Sequence, residues 1–223
     1  MAWSNYDKGV IFDMDGVLVD SGWAHRQAWF DLAEAEGLEM SDEFFCKTFG
    51  MQNDTILPML RPGISKPEMD RLSDRKEQRY RELVHSRPKA ADGVLALLSD
   101  LKADGFRLAI GSSAPRANLD VFWGPLGLAD YFQATVTKEQ VVEGKPSPET
   151  FLKAAGMLSL APQRCVVVED ALHGVQAARA AGMPVVAVTT TRSRAELACA
   201  DRVVDSLAEL SAEDFVRLLN REP

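Results

Sequence analysis

The chain has 223 residues, 46% of them hydrophobic, which suffices for one full core with room for an inserted subdomain. Acidic residues outnumber basic ones 33 to 25, for a formal net charge of -8 without a polybasic run, which argues against nucleic acid or membrane as the main partner. The three widely spaced cysteines, Cys46, Cys165 and Cys199, make neither a disulfide frame nor a zinc site and read as reduced core thiols.

Met1 to Asp7 has no basic region followed by an apolar stretch, and no run is long enough to cross a bilayer. A cytoplasmic protein without a signal peptide is expected. Next comes Val10-Ile11-Phe12-Asp13-Met14-Asp15-Gly16-Val17-Leu18, an apolar run that ends in two carboxylates and a glycine. Val10, Ile11 and Phe12 suit a strand covered on both faces, and Gly16 allows a sharp departure of the backbone. Alternation puts Asp13 and Asp15 on one side, and two close carboxylates repel unless a cation lies between them or one holds a proton. A divalent metal is the first hypothesis, with a plain polar turn as its alternative.

After the small polar hinge Asp20-Ser21-Gly22, a helix is expected over 23–38 with Trp23, Ala28, Trp29, Leu32, Ala33 and Ala35 on its apolar face, ended by Gly37. Helical patterns continue over 42–49, 54–60 and 67–84, and no convincing strand lies between Gly22 and Pro88. Beyond Gly93, helices (94–103, 117–122, 148–157, 174–181, 207–219) alternate with short strands at 107–111, 165–168, 185–188 and 202–204. That rhythm predicts an α/β fold: a Rossmann-like parallel sheet core with helices on both faces and an inserted all-helical subdomain. Residues 1–20 and 91–223 would form the core and residues 21–90 the insert.

In such folds ligands bind at the carboxyl ends of the strands. The first strand ends in Asp13 and Asp15, the second in Ser112 and Ser113, and the Val166-Val167-Val168 strand in Glu169 and Asp170, with Gly144-Lys145-Pro146-Ser147-Pro148 between the last two. One rim would then hold four carboxylates, two hydroxyls and a lysine. Hard oxygen ligands suit magnesium, and lysine and hydroxyls suit a phosphate's other oxygens. Each residue also has a plainer reading: Ser112 and Ser113 as loop or helix-capping residues, Lys145 as a solvated lysine, Glu169-Asp170 as a cap for the next helix.

In order along the chain, Asp13-Met14-Asp15-Gly16-Val17, Ser112, Lys145-Pro146 and Glu169-Asp170 resemble the four motifs of the haloacid dehalogenase superfamily. Phe12 to Leu18, Gly144 to Pro148 and Glu169-Asp170-Ala171 are most similar to its β-phosphoglucomutase-like phosphatases, which carry a small helical cap. The resemblance implies a magnesium-dependent phosphatase acting on a small phosphorylated metabolite, a sugar phosphate, through an aspartyl-phosphate. Asp13 would be the nucleophile and Asp15 the general acid and base, its backbone carbonyl also facing the metal. Ser112 and Lys145 would hold the phosphoryl group, Asp170 would bind magnesium, and Glu169 would lie beside it or reach it through water. Ser113, and from the cap His25 and Lys76, would touch the substrate. Members that are mutases carry an arginine after the cap's Gly-Val-Ser and polar residues beyond the motif serine. This chain has Gly50-Met51-Gln52-Asn53 and Ala114-Pro115-Arg116 there, which leaves Arg116 to grip a second phosphate. A phosphosugar mutase and a non-catalytic binding protein of the same fold are the alternatives. The expected partner is a small phosphorylated metabolite, not nucleic acid or membrane, and the expected state is a monomer.

Overall fold

The computed structural model describes residues 8–220, so the stretch Met1 to Asp7, where no signal peptide is expected, lies outside the described residues. Strand β1 (Gly9–Phe12) is fully buried because alternation serves two cores at once. Val10 and Phe12 point into one cluster with Leu108, Ile110, Val166 and Val168, while Ile11 points into the opposite cluster with Ala109 and Val167. Burial of a Val, Ile or Phe side chain contributes roughly 1.5–3 kcal/mol, so this run is a nucleus for both layers.

Six parallel strands make one sheet in the order β3-β2-β1-β4-β5-β6. The others are β2 (Arg107–Gly111), β3 (Ala134–Val136), β4 (Cys165–Glu169), β5 (Val185–Val188) and β6 (Arg202–Val204). Helices α1 (Gly22–Glu36), α2 (Asp42–Thr48), α3 (Asn53–Leu60) and α4 (Lys66–His85) all fall between β1 and β2. Of the remaining helices, α5 (Val94–Ala103), α6 (Arg116–Leu126) and α9 (Ala212–Leu219) cover one face of the sheet. The other face is covered by α7 (Glu149–Met157) and α8 (Leu172–Ala180). The inserted helices keep a small core of their own, Trp29, Leu32, Ile56, Leu57 and Leu72. Strand order reverses direction between β1 and β4, which puts the expected ligand crevice at their carboxyl ends.

Several expectations shift locally. The edge strand β3 has no counterpart in the sequence reading, because three residues are too few to display a period of two. The expected helix 207–219 is interrupted: Leu207–Glu209 is one tight turn, and a new capping box, Ser211 with Asp214, starts α9 at Ala212. Trp23, read as part of the buried face of α1, is 41% exposed, with Arg87 over its ring, and Ala35 is exposed too; His25 is buried in that face. Only Cys165 is a core thiol; Cys46 and Cys199 are exposed. Among the described residues no helix is long and apolar enough to cross a membrane.

Candidate functional site

The parallel register delivers the acids to one point. Asp13 follows β1 directly, its amide donating to Val168 O (2.9 Å), and Glu169 ends the neighbouring β4. Carboxylate oxygens of Asp13, Glu169 and Asp170 lie within 4.8 Å of one another, all buried. Two glycines make room for them. Gly16 has φ +79°, and a Cβ there would overlap Asp170 Oδ2; a Cβ on Gly174 would overlap Glu169 Oε1. Lys145 reaches in from the β3–α7 loop and donates to Asp13 Oδ1 and Glu169 Oε1, 2.6 Å each. Glu169 Oε2 accepts from the amides of Asp170 and Ala171 (2.8 Å each), ahead of α8, whose N-cap Ala171 leaves the helix without a side-chain cap, so the plainer reading of Glu169-Asp170 as a helix cap does not hold.

One lysine does not balance three buried carboxylates. Burial, with the charges of Glu169 and Asp15, pushes the Asp13 carboxyl from its ordinary 3.8 to about 7 against the pull of Lys145. Burial and the charges of Glu169 and Asp13 push Asp170 well above the usual carboxylate range. For Lys145, burial penalises the charge, yet Asp13 and Glu169 outweigh it and raise the ammonium above its ordinary value. Asp170 Oδ2 accepts from Thr191 Oγ1 (2.7 Å) and Thr190 Oγ1 (3.2 Å), whereas its Oδ1 is buried with no partner. An orphaned carboxylate oxygen facing two further carboxylates fits a hard divalent cation such as magnesium, whose charge would let all three ionise.

Asp15 turns away from this cluster and toward the inserted helices. Its Oδ1 accepts from Ser21 Oγ and Tyr80 Oη, 2.6 Å each, and lies 3.0 Å from His25 Nε2. Burial opposes the charge, but His25, Ser21 and Tyr80 hold Asp15 down at about 2. His25 stacks on Tyr80 at 4.0 Å, and its Nδ1 is 2.8 Å from Lys76 Nζ. An ammonium can only donate, so Nδ1 accepts, which leaves the ring hydrogen on Nε2. Lys76 also donates to Glu77 Oε1 (2.8 Å). Glu77 in turn accepts from Asn53 Nδ2 on α3 and Asn118 Nδ2 on α6, both at 2.7 Å. A buried polar chain thus runs from Asp15 through α1, α3 and α4 back to the core helix α6.

Asp13 and Asp15 share a cavity of about 60 Å³ with His25, Lys76, Ser112 and Ser113. Ser112 Oγ accepts from the Ala114 amide (3.0 Å), leaving its own hydrogen to donate into the cavity, and Ser113 Oγ is buried without a partner. Arg116 is not brought to the site: it is exposed, its Nε donates to Asp120 one helical turn on (3.0 Å), and it does not line the cavity. Sequence reasoning missed Tyr80, Glu77, Asn118, Thr190 and Thr191, and treated Ser21 only as a hinge residue. The hydroxyl run Thr189-Thr190-Thr191 at the end of β5 was a usable signal; for Tyr80, Glu77 and Asn118 no local pattern exists.

The sequence profile of the haloacid dehalogenase-like hydrolases matches residues 10–188. Hexitol phosphatase A of Escherichia coli is 37% identical over 207 residues, covering 92% of this chain and 93% of that protein. The chloroplastic 5-amino-6-(5-phospho-D-ribitylamino)uracil phosphatase of Arabidopsis thaliana is 31% identical over 217 residues, or 96% of this chain, which spans 58% of that longer relative. Among solved structures, a β-phosphoglucomutase from Clostridium difficile superposes with a TM-score of 0.85 at 28% identity, covering 96% of this chain and 97% of that one.

Proposed function

The chain belongs to the haloacid dehalogenase-like hydrolases and is a phosphoric monoester hydrolase acting on phosphorylated metabolites, and on that premise we propose that it is a magnesium-dependent sugar-phosphate phosphatase working through an aspartyl-phosphate. The observation that carries this reading is the buried group of Asp13, Lys145, Ser112 and Asp170, with Asp170 Oδ1 left unpartnered. Asp13 attacks phosphorus, and Lys145 and the Ser112 hydroxyl hold the equatorial oxygens. Asp13 and Asp170 would hold magnesium, whose charge would let Asp13 stay ionised and would polarise the phosphoryl group. Glu169 is occupied by Lys145 and two amides, which suits it to anchor the lysine beside the metal.

Asp15 serves both halves of the reaction. His25 and the donors Ser21 and Tyr80 keep it ionised, as a base for the attacking water must be. A phosphate dianion arriving beside it raises its proton affinity, as the acid for the leaving oxygen must have. Residues 21–90 act as a cap over the core formed by the described residues on either side of them, 8–20 and 91–220. Ligand pockets usually enclose roughly 300–1,000 Å³, so a cavity of about 60 Å³ requires the cap to swing aside for a sugar phosphate. Both crossings run side by side, with Asp20 N donating to Lys89 O and Ala91 N to Leu18 O at 3.0 Å each, which suits a hinge.

Hydrolysis is favoured over phosphosugar isomerisation because Asn53 and Ala114 are uncharged and Arg116 is engaged outside the cavity. Phosphorus NMR of β-glucose 1-phosphate with enzyme, magnesium and a bisphosphate primer tests this: if the sugar is accepted, inorganic phosphate is the expected product. Glucose 6-phosphate accumulating faster than phosphate would establish the mutase instead. No phosphate release from a panel of sugar phosphates and an aryl phosphate would overturn the phosphatase reading.

A further inference from the structure

Besides Asp13 and Asp15, the cavity is lined by a carboxylate from the inserted helices. Glu77 lines it with Asn53 and Ser113, and these three residues also line an outer cleft of about 400 Å³ between cap and core. They therefore stand where the part of a substrate distal to its reacting phosphate must lie or pass. Glu77 is buried and fixed from three sides, by Lys76 and Asn53 on Oε1 and by Asn118 on Oε2. Burial opposes its charge, but the Lys76 ammonium and the Asn118 amide hold it ionised, at about 2.

The lysines lining these two spaces are already engaged. Lys76 is shared between Glu77 and His25 and Lys138 is paired with Asp54 Oδ1 (2.6 Å), while Arg81 donates to the neutral Asn118 Oδ1 (3.1 Å) and keeps its charge, but it lines the outer cleft and not the inner cavity. Against them stand Glu77 and, in the outer cleft, Asp74 and Glu139. What remains for a ligand in the inner cavity is neutral hydrogen bonding: the Ser113 hydroxyl, buried with no partner, and the one spare lone pair of Glu77, on Oε2.

We propose that Glu77 is a specificity-determining residue that makes the distal end of this pocket a hydroxyl site, admitting phosphomonoesters with an uncharged polyhydroxy tail and rejecting those that carry a second phosphate or a carboxylate. The assignment rests on the phosphatase reading above. A sugar hydroxyl can donate to the Glu77 carboxylate and accept from Ser113, whereas a second anion there finds a carboxylate with no hydrogen to give and a Lys76 already shared between Glu77 and His25, in a site of low dielectric.

A matched pair of ligands tests it: fructose 6-phosphate and fructose 1,6-bisphosphate, as competitive inhibitors of p-nitrophenyl phosphate turnover at constant free magnesium. In the wild-type enzyme the bisphosphate is expected to bind at least about tenfold more weakly than the monophosphate, since like-charge juxtaposition costs several kcal/mol. Glu77→Gln removes the charge and keeps the size, and should bring the two inhibition constants within about threefold, chiefly by tightening the bisphosphate. Should that variant fold poorly, Asn53→Lys places a cation beside Glu77 and should close the gap from the other side. Wild-type enzyme that binds the bisphosphate as tightly as the monophosphate overturns the assignment, as does a gap unchanged in the folded variants, and in either case turnover of the aryl phosphate leaves the phosphatase reading standing. Absence of aryl phosphate turnover removes both.

Discussion

Among the described residues Lys145 is the only ammonium placed against the buried acids of the cluster, and Lys145→Met isolates what it does. Its side chain is 2% exposed, its Nζ stands 2.6 Å from both Asp13 Oδ1 and Glu169 Oε1, and it lies over the Phe151 ring at 4.8 Å. Methionine keeps the length and the apolar contact and deletes the charge. Removing one partner of a buried ion pair costs about 3–5 kcal/mol, because the other charge stays buried without compensation. For a chain of this size each kcal/mol moves Tm by about 2–4 °C, so the melting temperature should fall by about 6–20 °C. The pH dependence follows from Asp13. Even with the lysine, burial holds its folded carboxyl at about 7 instead of 3.8, so the folded state keeps a proton that the unfolded chain has released. An acid shifted in that direction contributes most to stability at low pH and loses it as pH rises from about 4 to about 7. Deleting the main opposing charge extends that loss above pH 7. Metal-free melting curves of both proteins at pH 5 and pH 8 are the assay, and the deficit should be larger at pH 8. A variant that melts within about 2 °C of wild type at pH 8, or a deficit larger at pH 5, would refute this account of Lys145.

Three further outcomes are expected. Asp13→Asn should leave a folded protein and lower phosphate release by several orders of magnitude, since a covalent step is lost; near wild-type release by the folded variant would remove Asp13 from the nucleophile's role. Dialysis against a chelator should silence the enzyme and magnesium restore it, with calcium a poor substitute because it tolerates more ligands and looser geometry; full activity in excess chelator would refute the metal assignment. Replacing His25 or Lys76 by alanine should reduce kcat/KM for a sugar phosphate more than for a small aryl phosphate, because both lie on the cap side of the cavity; equal losses would show that they do not read the substrate.

The strands and their acids were legible because the information is local. Val10, Ile11 and Phe12 followed by Asp13 state both the buried strand and the carboxylate at its end. A parallel sheet then brings the ends of β1, β2 and β4 to one rim, so Asp13, Ser112, Glu169 and Asp170 meet without any further instruction in the sequence. Lys145 was placed by motif order, and its reach to Asp13 across 132 positions is what a loop at that rim permits. Gly37, expected to end α1, does so in the left-handed conformation.

Docking decided the rest. Whether His25 or Trp23 faces inward on α1 depends on which side of that helix meets the core, and periodicity with apolar residues on several sides does not choose. Tyr80 finds Asp15 across 65 positions and Asn118 finds Glu77 across 41, contacts set by how α4 lies over the sheet and α6. Arg116, charged and near the motif serine, was a reasonable reading for a phosphate contact, yet the helix it begins turns its side chain toward Asp120. By itself the sequence determined the sheet, the order of the motifs and the chemistry at their ends, because each depends on a window of a few residues. Only the tertiary structure decided what Asp15 touches and that the Glu77 carboxylate lines the pocket, because those contacts join helices whose relative placement is fixed by packing and not by local pattern.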